Sequence, residues 1–242
     1  FPNRVLDALV AGLAPALLYL FLDALARKGH SARSWRENVA LTAMFAFGSV
    51  YFFSAVQGSV WFVAHIVGCG VGAAFLLAAL DCERPALAGA LAGLMFPTRT
   101  SMLFGSVFFA MECLRMHRRA DAPALDDDAS PLAHALAWLR GTDWRAVVRP
   151  VVRFALPLLG FIAVYMLLNK LRFGDWREPG YRYLQIRWAE RINRWGLFNY
   201  HYLSRNLAVA LALLPWATRV SPFVQISRHG LALWFTSPHY LE

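Results

Sequence analysis

Charge is scarce in this sequence: 16% of its 242 residues are Asp, Glu, Lys or Arg, against roughly 25% in an ordinary soluble domain. Hydrophobic side chains make up 58% and the mean hydropathy is +0.43, a balance that excludes a soluble enzyme. Cysteine is scarcer still. Cys69, Cys82 and Cys113 are the only three; they lie in or beside apolar stretches without CxxC spacing, so they are expected to be free, structural thiols and not a disulfide framework or a metal site. The histidines show neither HxxxH nor HExxH spacing, so no metal is expected. GxGxxG, P-loop and GxSxG patterns are all missing, which removes the sequence support for nucleotide binding and serine hydrolysis.

What the chain has instead is apolar runs of membrane-crossing length, about 20 residues each. Residues 5–26 form a first span, with Asp7 and Asp23 near its ends, where a cap is the ordinary role of an aspartate, and Pro15 as a kink. Residues 39–56 form a second, Gln57-Gly58-Ser59 a tight turn, and residues 60–80 a third, in which Gly68, Gly70 and Gly72 let neighbouring backbones approach closely. Residues 86–111 are apolar but interrupted by Pro97-Thr98-Arg99-Thr100. They read either as one kinked span or as two half-helices of a re-entrant hairpin. The expectation is an all-α polytopic membrane helix bundle: residues 1–111 with the broken pair 86–111, a polar connector 112–153 with a short surface helix, a span 154–171, and an external Arg- and aromatic-rich segment 172–242. The sequence opens on Phe1 and shows no signal-peptide pattern, which leaves open both an interior piece of a longer chain and a shortened one.

The formal charge of +9 would suit nucleic acid in a soluble protein. In a membrane protein anionic lipid is the simpler partner, so membrane lipids are expected and nucleic acid is not. Trp, Tyr and Phe number 9, 8 and 18, in keeping with long interfacial surfaces. The 24 Lys and Arg divide evenly between the two sides of the membrane under the hairpin reading, so charge alone does not orient the chain.

Arg99 is the sharpest single signal, because an ionised group within a span usually faces the bundle interior or a wet cavity. With Thr98 and Thr100 it could hold phosphate oxygens; alternatively it sits at a loop and reaches water or headgroups. Residues 181–195 place Leu184, Trp188, Ile192 and Trp195 on one face of a helix and Arg187, Arg191 and Arg194 on another, the pattern of a helix lying in the interface plane. Arg172, Tyr181, Arg182 and Arg205 around it are candidates for binding a phosphate lipid; the plainer role is a solvated face on anionic headgroups. Gln57, Trp61 and His65 are spaced to stack on one face and line a cavity, although a lone His of this kind is more often a packed, hydrogen-bonded residue.

The run VYFFSAVQGSVWFVAHIVG from Val50, ERPALAGALAGLMFPTRTSMLF from Glu83, NKLRFGDWREPGY from Asn169, YLSRNL from Tyr202 and GLALWFTSP from Gly230 follow one another in an order that resembles GT-C superfamily membrane glycosyltransferases of the protein-mannosyltransferase-like kind. The resemblance covers most of the chain. It implies an enzyme that moves a sugar from a polyprenyl-phosphate carrier to an acceptor on the periplasmic or lumenal side, with residues 172–242 external to a bacterial inner membrane. Arg99 matches the arginine of the family's Thr-Arg-Pro stretch, with Thr100 in place of the proline, and Arg172-Phe173-Gly174 matches its Arg-Phe-Gly. The family's acidic catalytic residue belongs to a first external loop near the N-terminus that has no counterpart here, so no catalytic residue is assigned. A divalent cation is left open. The other class of function is a non-catalytic scaffold subunit that packs further spans or subunits against the Gly-rich helix.

Overall fold

The computed structural model describes residues 4–57, 60–122, 130–183, 185–186, 188–197, 199–227 and 229–238. The protein is an all-α membrane helix bundle: α1 (Arg4–Arg27), α2 (Trp35–Gly48), α3 (Val50–Gln57), α4 (Val60–Ala79), α5 (Pro85–Thr98), α6 (Val107–Met116), α7 (Pro131–Arg140), α8 (Trp144–Phe173), α9 (Ala189–Trp195), α10 (Leu203–Ala212) and α11 (Leu233–Thr236). Among the described residues, strand is confined to the antiparallel pair β1 (Trp216–Ala217) and β2 (Val224–Gln225). Three helices are long and apolar enough to cross a membrane, or four if the bent pair α2–α3 counts as one span. Leu156 and Leu159 of α8 stay 66% and 59% exposed, as side chains facing lipid should.

The chain divides into two compact units, Phe1–Thr42 with Ser54–Tyr165, and Ala43–Phe53 with Met166–Glu242. In the first, α4 packs along α1 and α5. Lipid tails are as apolar as leucine, so these helices associate through close fit and polar contacts. Glycine supplies the fit. A Cβ on Gly89 would lie 1.9 Å from the carbonyl oxygen of Phe154, and one on Gly93 would lie 2.6 Å from Cβ of Phe161, so α5 meets α8 backbone to backbone along an i, i+4 glycine stripe. Ala88 and Ala92 beside it are fully buried. Around this seam Phe109 stacks on Phe154 at 4.2 Å, and Phe75 approaches the same ring edge-on at 6.5 Å.

The segment 86–111 is a hairpin. α5 has 14 residues, about 21 Å at 1.5 Å per residue, too short to cross a core of about 30 Å. It ends at Arg99, whose extended backbone (φ −153°, ψ 112°) breaks the helix after Pro97. A 3₁₀ turn, Thr100–Ser106, reverses the chain into α6. Glu112 of α6 then accepts the backbone N–H of Asp81, at the end of α4, at 2.7 Å. Since α5 starts from that same end, both arms of the hairpin open at one end of α4. The kinked-span alternative is thereby set aside.

Several sequence boundaries move. The second span is not continuous: α2 and α3 bend by 56° at Ser49, whose hydroxyl donates to the Phe45 carbonyl at 2.7 Å and accepts the Tyr51 N–H at 3.1 Å. That side chain ends one helix and caps the next. α2 itself starts on a reciprocal capping box, in which Ser34 N–H donates to Glu37 at 2.6 Å and the Glu37 N–H donates to the Ser34 hydroxyl at 3.4 Å, satisfying two donors of the first turn. The polar connector is shorter than expected. α6 continues to Met116, and α8 begins at Trp144 instead of 154, its start capped by Asp143, which accepts the N–H groups of Arg145 and Ala146. At 30 residues, α8 is about 45 Å long, so its Arg-bearing first turns extend beyond the hydrocarbon.

In the second unit, the expected interfacial helix over 181–195 is helical only from Ala189 to Trp195, after a single 3₁₀ turn at Tyr181–Tyr183. The Tyr183 ring stacks on Phe173 at 5.4 Å and its hydroxyl donates to the Phe173 carbonyl at 3.4 Å, which draws the first turn back against the end of α8. Gly180 permits this: it has φ +96°, and a Cβ there would meet the Phe173 ring at 2.7 Å. Leu184 and Arg187 of the expected helix faces, and the turn residues Gly58 and Ser59, lie outside the described residues.

Candidate functional site

Arg99 sits at the tip of the hairpin. One of its terminal nitrogens (Nη2) donates to Nε2 of His65, on α4, at 2.9 Å. A guanidinium only donates, so Nε2 of His65 must accept, and the imidazole is neutral with its proton on Nδ1. His65 lies sixteen residues before Asp81, which places the tip about 24 Å along α4 from the hairpin's mouth. The Arg99 Nε and the Ser106 hydroxyl are sealed from solvent and have no hydrogen-bond partner among the described residues. Thr98 donates its hydroxyl to the Leu94 carbonyl at 2.8 Å, and Thr100 is exposed. The tip therefore presents a held guanidinium with an unused donor, chemistry that suits an anionic oxygen.

Of the expected stack, Gln57 ends α3, and Trp61 and His65 lie on α4; Gly58 and Ser59, which join the two helices, lie outside the described residues. Trp61 is 59% exposed, and of the three only His65 is joined to Arg99 by a hydrogen bond in the structure. The Gly-rich stripe of α4 is occupied internally: a Cβ on Gly68 would lie 2.8 Å from Sδ of Met102 and one on Gly72 3.4 Å from Cε of Met102. Gly68 and Gly72 thus seat the hairpin's 3₁₀ turn, and Gly70 turns toward Ala14 of α1.

In the second unit, the guanidinium of Arg172 lies 5.4 Å from the centre of the Phe173 ring at the end of α8, and through Phe173 it neighbours the turn that carries Tyr181 and Arg182. Only the backbone of Arg182 is described. Arg205, on α10, is elsewhere: it lines a cleft of about 690 Å³ with Trp188, Arg191, Tyr200, Asn206 and His229. Arg172 and Tyr181 are not part of that lining. The cleft is built on stacked rings. Trp195 lies 3.9 Å from His201 with nearly parallel planes, and the Tyr202 hydroxyl donates to the carbonyls of Arg191 and Gly196 at 3.2 and 3.0 Å. Arg191 packs over Trp188 at 5.3 Å and Arg194 over Trp195 at 4.9 Å. Cation–π attraction pairs the two residue types.

The sequence reading missed a third cluster, at the mouth of the hairpin. The Asp81 carboxylate receives Lys28 and His30, each at 2.9 Å, and also Arg115. Arg115 forks onto Glu112 at 3.0 and 2.7 Å, and Lys28 reaches Glu83 as well. Hydrogen bonds from Glu83 and Asp81 raise the Lys28 pKa above the ordinary lysine value; those from Glu112 and then Asp81 raise that of Arg115. The signal was present in Asp81-Cys82-Glu83, two acids directly after an apolar span, each with a basic counterpart on another element. No group of His, Cys, Asp and Glu suited to a metal ion occurs among the described residues. Comparison with protein-family profiles, with curated proteins and with solved structures found no match to this chain.

Proposed function

We propose that this protein is an integral membrane glycosyltransferase that takes a sugar from a polyprenyl-phosphate carrier, with Arg99 holding the carrier's phosphate. The single observation that carries the reading is the Arg99 tip: a guanidinium at the turn of the hairpin, fixed by a neutral histidine, with one sealed donor unpaired. An intramembrane charge of this kind is costly and is expected to serve a site. The ordered motifs from Val50 to Pro238 support the same reading by resemblance. So does the second unit, whose Arg205–Arg191 cleft with its aromatic walls suits a phosphorylated headgroup or sugar.

In the reaction, guanidinium donors stabilise the charge that develops on the departing phosphate. A carboxylate would activate the acceptor hydroxyl; this chain's described carboxylates at the hairpin mouth are engaged in ion pairs and are not assigned that role. The same reading puts residues 172–242 on the external face of a bacterial inner membrane, where the carrier presents its sugar.

The test is transfer from short-chain polyprenyl-phosphate sugars to a lipid or protein acceptor fraction by the full protein in liposomes. Arg99→Ala is expected to lower transfer about 100-fold or more while the helical content is kept. Full transfer by a folded Arg99→Ala protein would overturn the site. A folded wild type that neither transfers sugar nor binds polyprenyl phosphate, yet co-purifies tightly with other spans, would overturn the function in favour of a scaffold.

A further inference from the structure

The mouth of the hairpin carries a second feature that the proposed transfer does not use. Asp81 and Cys82 both have φ +53°, a left-handed conformation that non-glycine residues seldom adopt and that persists only where surrounding contacts impose it. The contacts are present. The Asp81 N–H is held by Glu112, and its carboxylate is held by Lys28, His30 and Arg115. This turn brings Sγ of Cys82 to 3.2 Å from Sγ of Cys113 on α6. Both sulfurs are thiols, Cys82 half-buried and Cys113 with 1% of its surface exposed. A disulfide needs the sulfurs about 1 Å closer, an approach within reach of side-chain rotation at the end of a helix.

We propose that Cys82 and Cys113 form a redox-active dithiol, oxidised by exchange with a low-molecular-weight disulfide to a cystine that ties the end of α4 to α6 across the hairpin mouth. Cys82, the more accessible sulfur, attacks as thiolate on one sulfur of the external disulfide. The external S–S bond breaks, one thiol leaves, and a mixed disulfide forms on Cys82. The Cys113 thiolate then attacks the Cys82 sulfur and the second external thiol departs. Two protein thiols are oxidised by two electrons, one external disulfide is reduced to two thiols, and the protons of the cysteines leave on those thiols. The ring so closed contains α5, the Thr100–Ser106 turn and Arg99, so oxidation fixes the hairpin at its base. Cys69, on α4, lies outside this pair and serves as an internal control.

The experiment uses the full chain in detergent micelles, treated with oxidised glutathione, freed of reagent, then unfolded in denaturant, blocked with a maleimide and weighed intact. The proposal expects a chain lighter by two hydrogens that takes up a single maleimide, at Cys69, and takes up three once reduced first. Cys113→Ser is expected to retain glutathione on Cys82 because the resolving sulfur is gone, and Cys82→Ser to leave Cys113 unreacted. Uptake of three maleimides after oxidation, glutathione retained on the folded wild type, or a disulfide joining two chains would each overturn it. Because the readout is mass, the result is independent of whether the protein transfers sugar.

Discussion

The two units hold their helices by different means. In the first, backbone meets backbone: Gly89 and Gly93 let α5 lie against α8, and Gly68 lets Met102 lie against α4, with an ion network closing one end. In the second, short turns are held by ring stacking, Phe173 on Tyr183 and Trp195 on His201. At Gly89 the seam has no room for an added atom, because the obstacle is the Phe154 backbone, whereas a stacked pair can lose a ring and leave the backbone path intact. A re-entrant segment needs the first kind of support, because its non-helical tip must be buried in protein to exist at membrane depth. An exposed, arginine-rich cleft can be built with the second.

The contrast is most sharply tested at Gly89. Gly89→Leu would drive side-chain atoms into the Phe154 carbonyl, and the expected outcome is loss of folded, monodisperse protein, an effect of more than about 3 kcal/mol, read by size-exclusion profile and thermal melting. A folded Gly89→Leu protein would break the seam account. Next in size is Asp81→Asn, which removes the shared partner of Lys28, His30 and Arg115. The side chain is 12% exposed, so a cost of about 2–3 kcal/mol is expected, below that of fully buried pairs, with the same melting readout.

In the second unit Trp195→Ala is expected to cost less, about 1–2 kcal/mol including the lost stack, and to loosen the cleft while leaving maleimide protection of Cys113 in the first unit unchanged. A melt as damaged as that of Gly89→Leu would show that the units are not distinct in this sense. The smallest effect expected is with alkali. The Lys28 pKa is raised in the folded protein, so its contribution is fully present below the unfolded lysine value of about 10.4 and is lost as pH rises through the higher folded value. Wild type and Lys28→Met should therefore differ by a constant amount between pH 7 and about 10 and converge only above it.

Legibility followed the physics of each feature. The spans and the break at Arg99 were readable because apolar length and an intramembrane charge are one-dimensional signals. Whether the break was a kink or a hairpin was not, because the answer lies in Glu112 and Arg115 returning to Asp81 from 31 and 34 residues away. The helix of about four turns expected over 181–195 failed because Tyr183 finds Phe173, a contact that periodicity does not encode. Arg205 stood out in the sequence as an arginine among aromatics, but its cleft partners Arg191 and His229 come from separate segments. Gly89 and Gly93 stand four apart within the ERPALAGALAGLMF run, yet their role as the α5–α8 seam needed the partner helix.

The account turns on the chain reaching Arg99 and coming back to the side it left. In a protein with its three native cysteines replaced by serine, Arg84→Cys and Met116→Cys would be introduced singly at the two arms of the hairpin and exposed to a membrane-impermeant maleimide in sealed, oriented vesicles. Labelling of both from the same side is the predicted result. Labelling from opposite sides would mean that residues 86–111 cross the membrane, and it would contradict both the hairpin and the phosphate site at its tip.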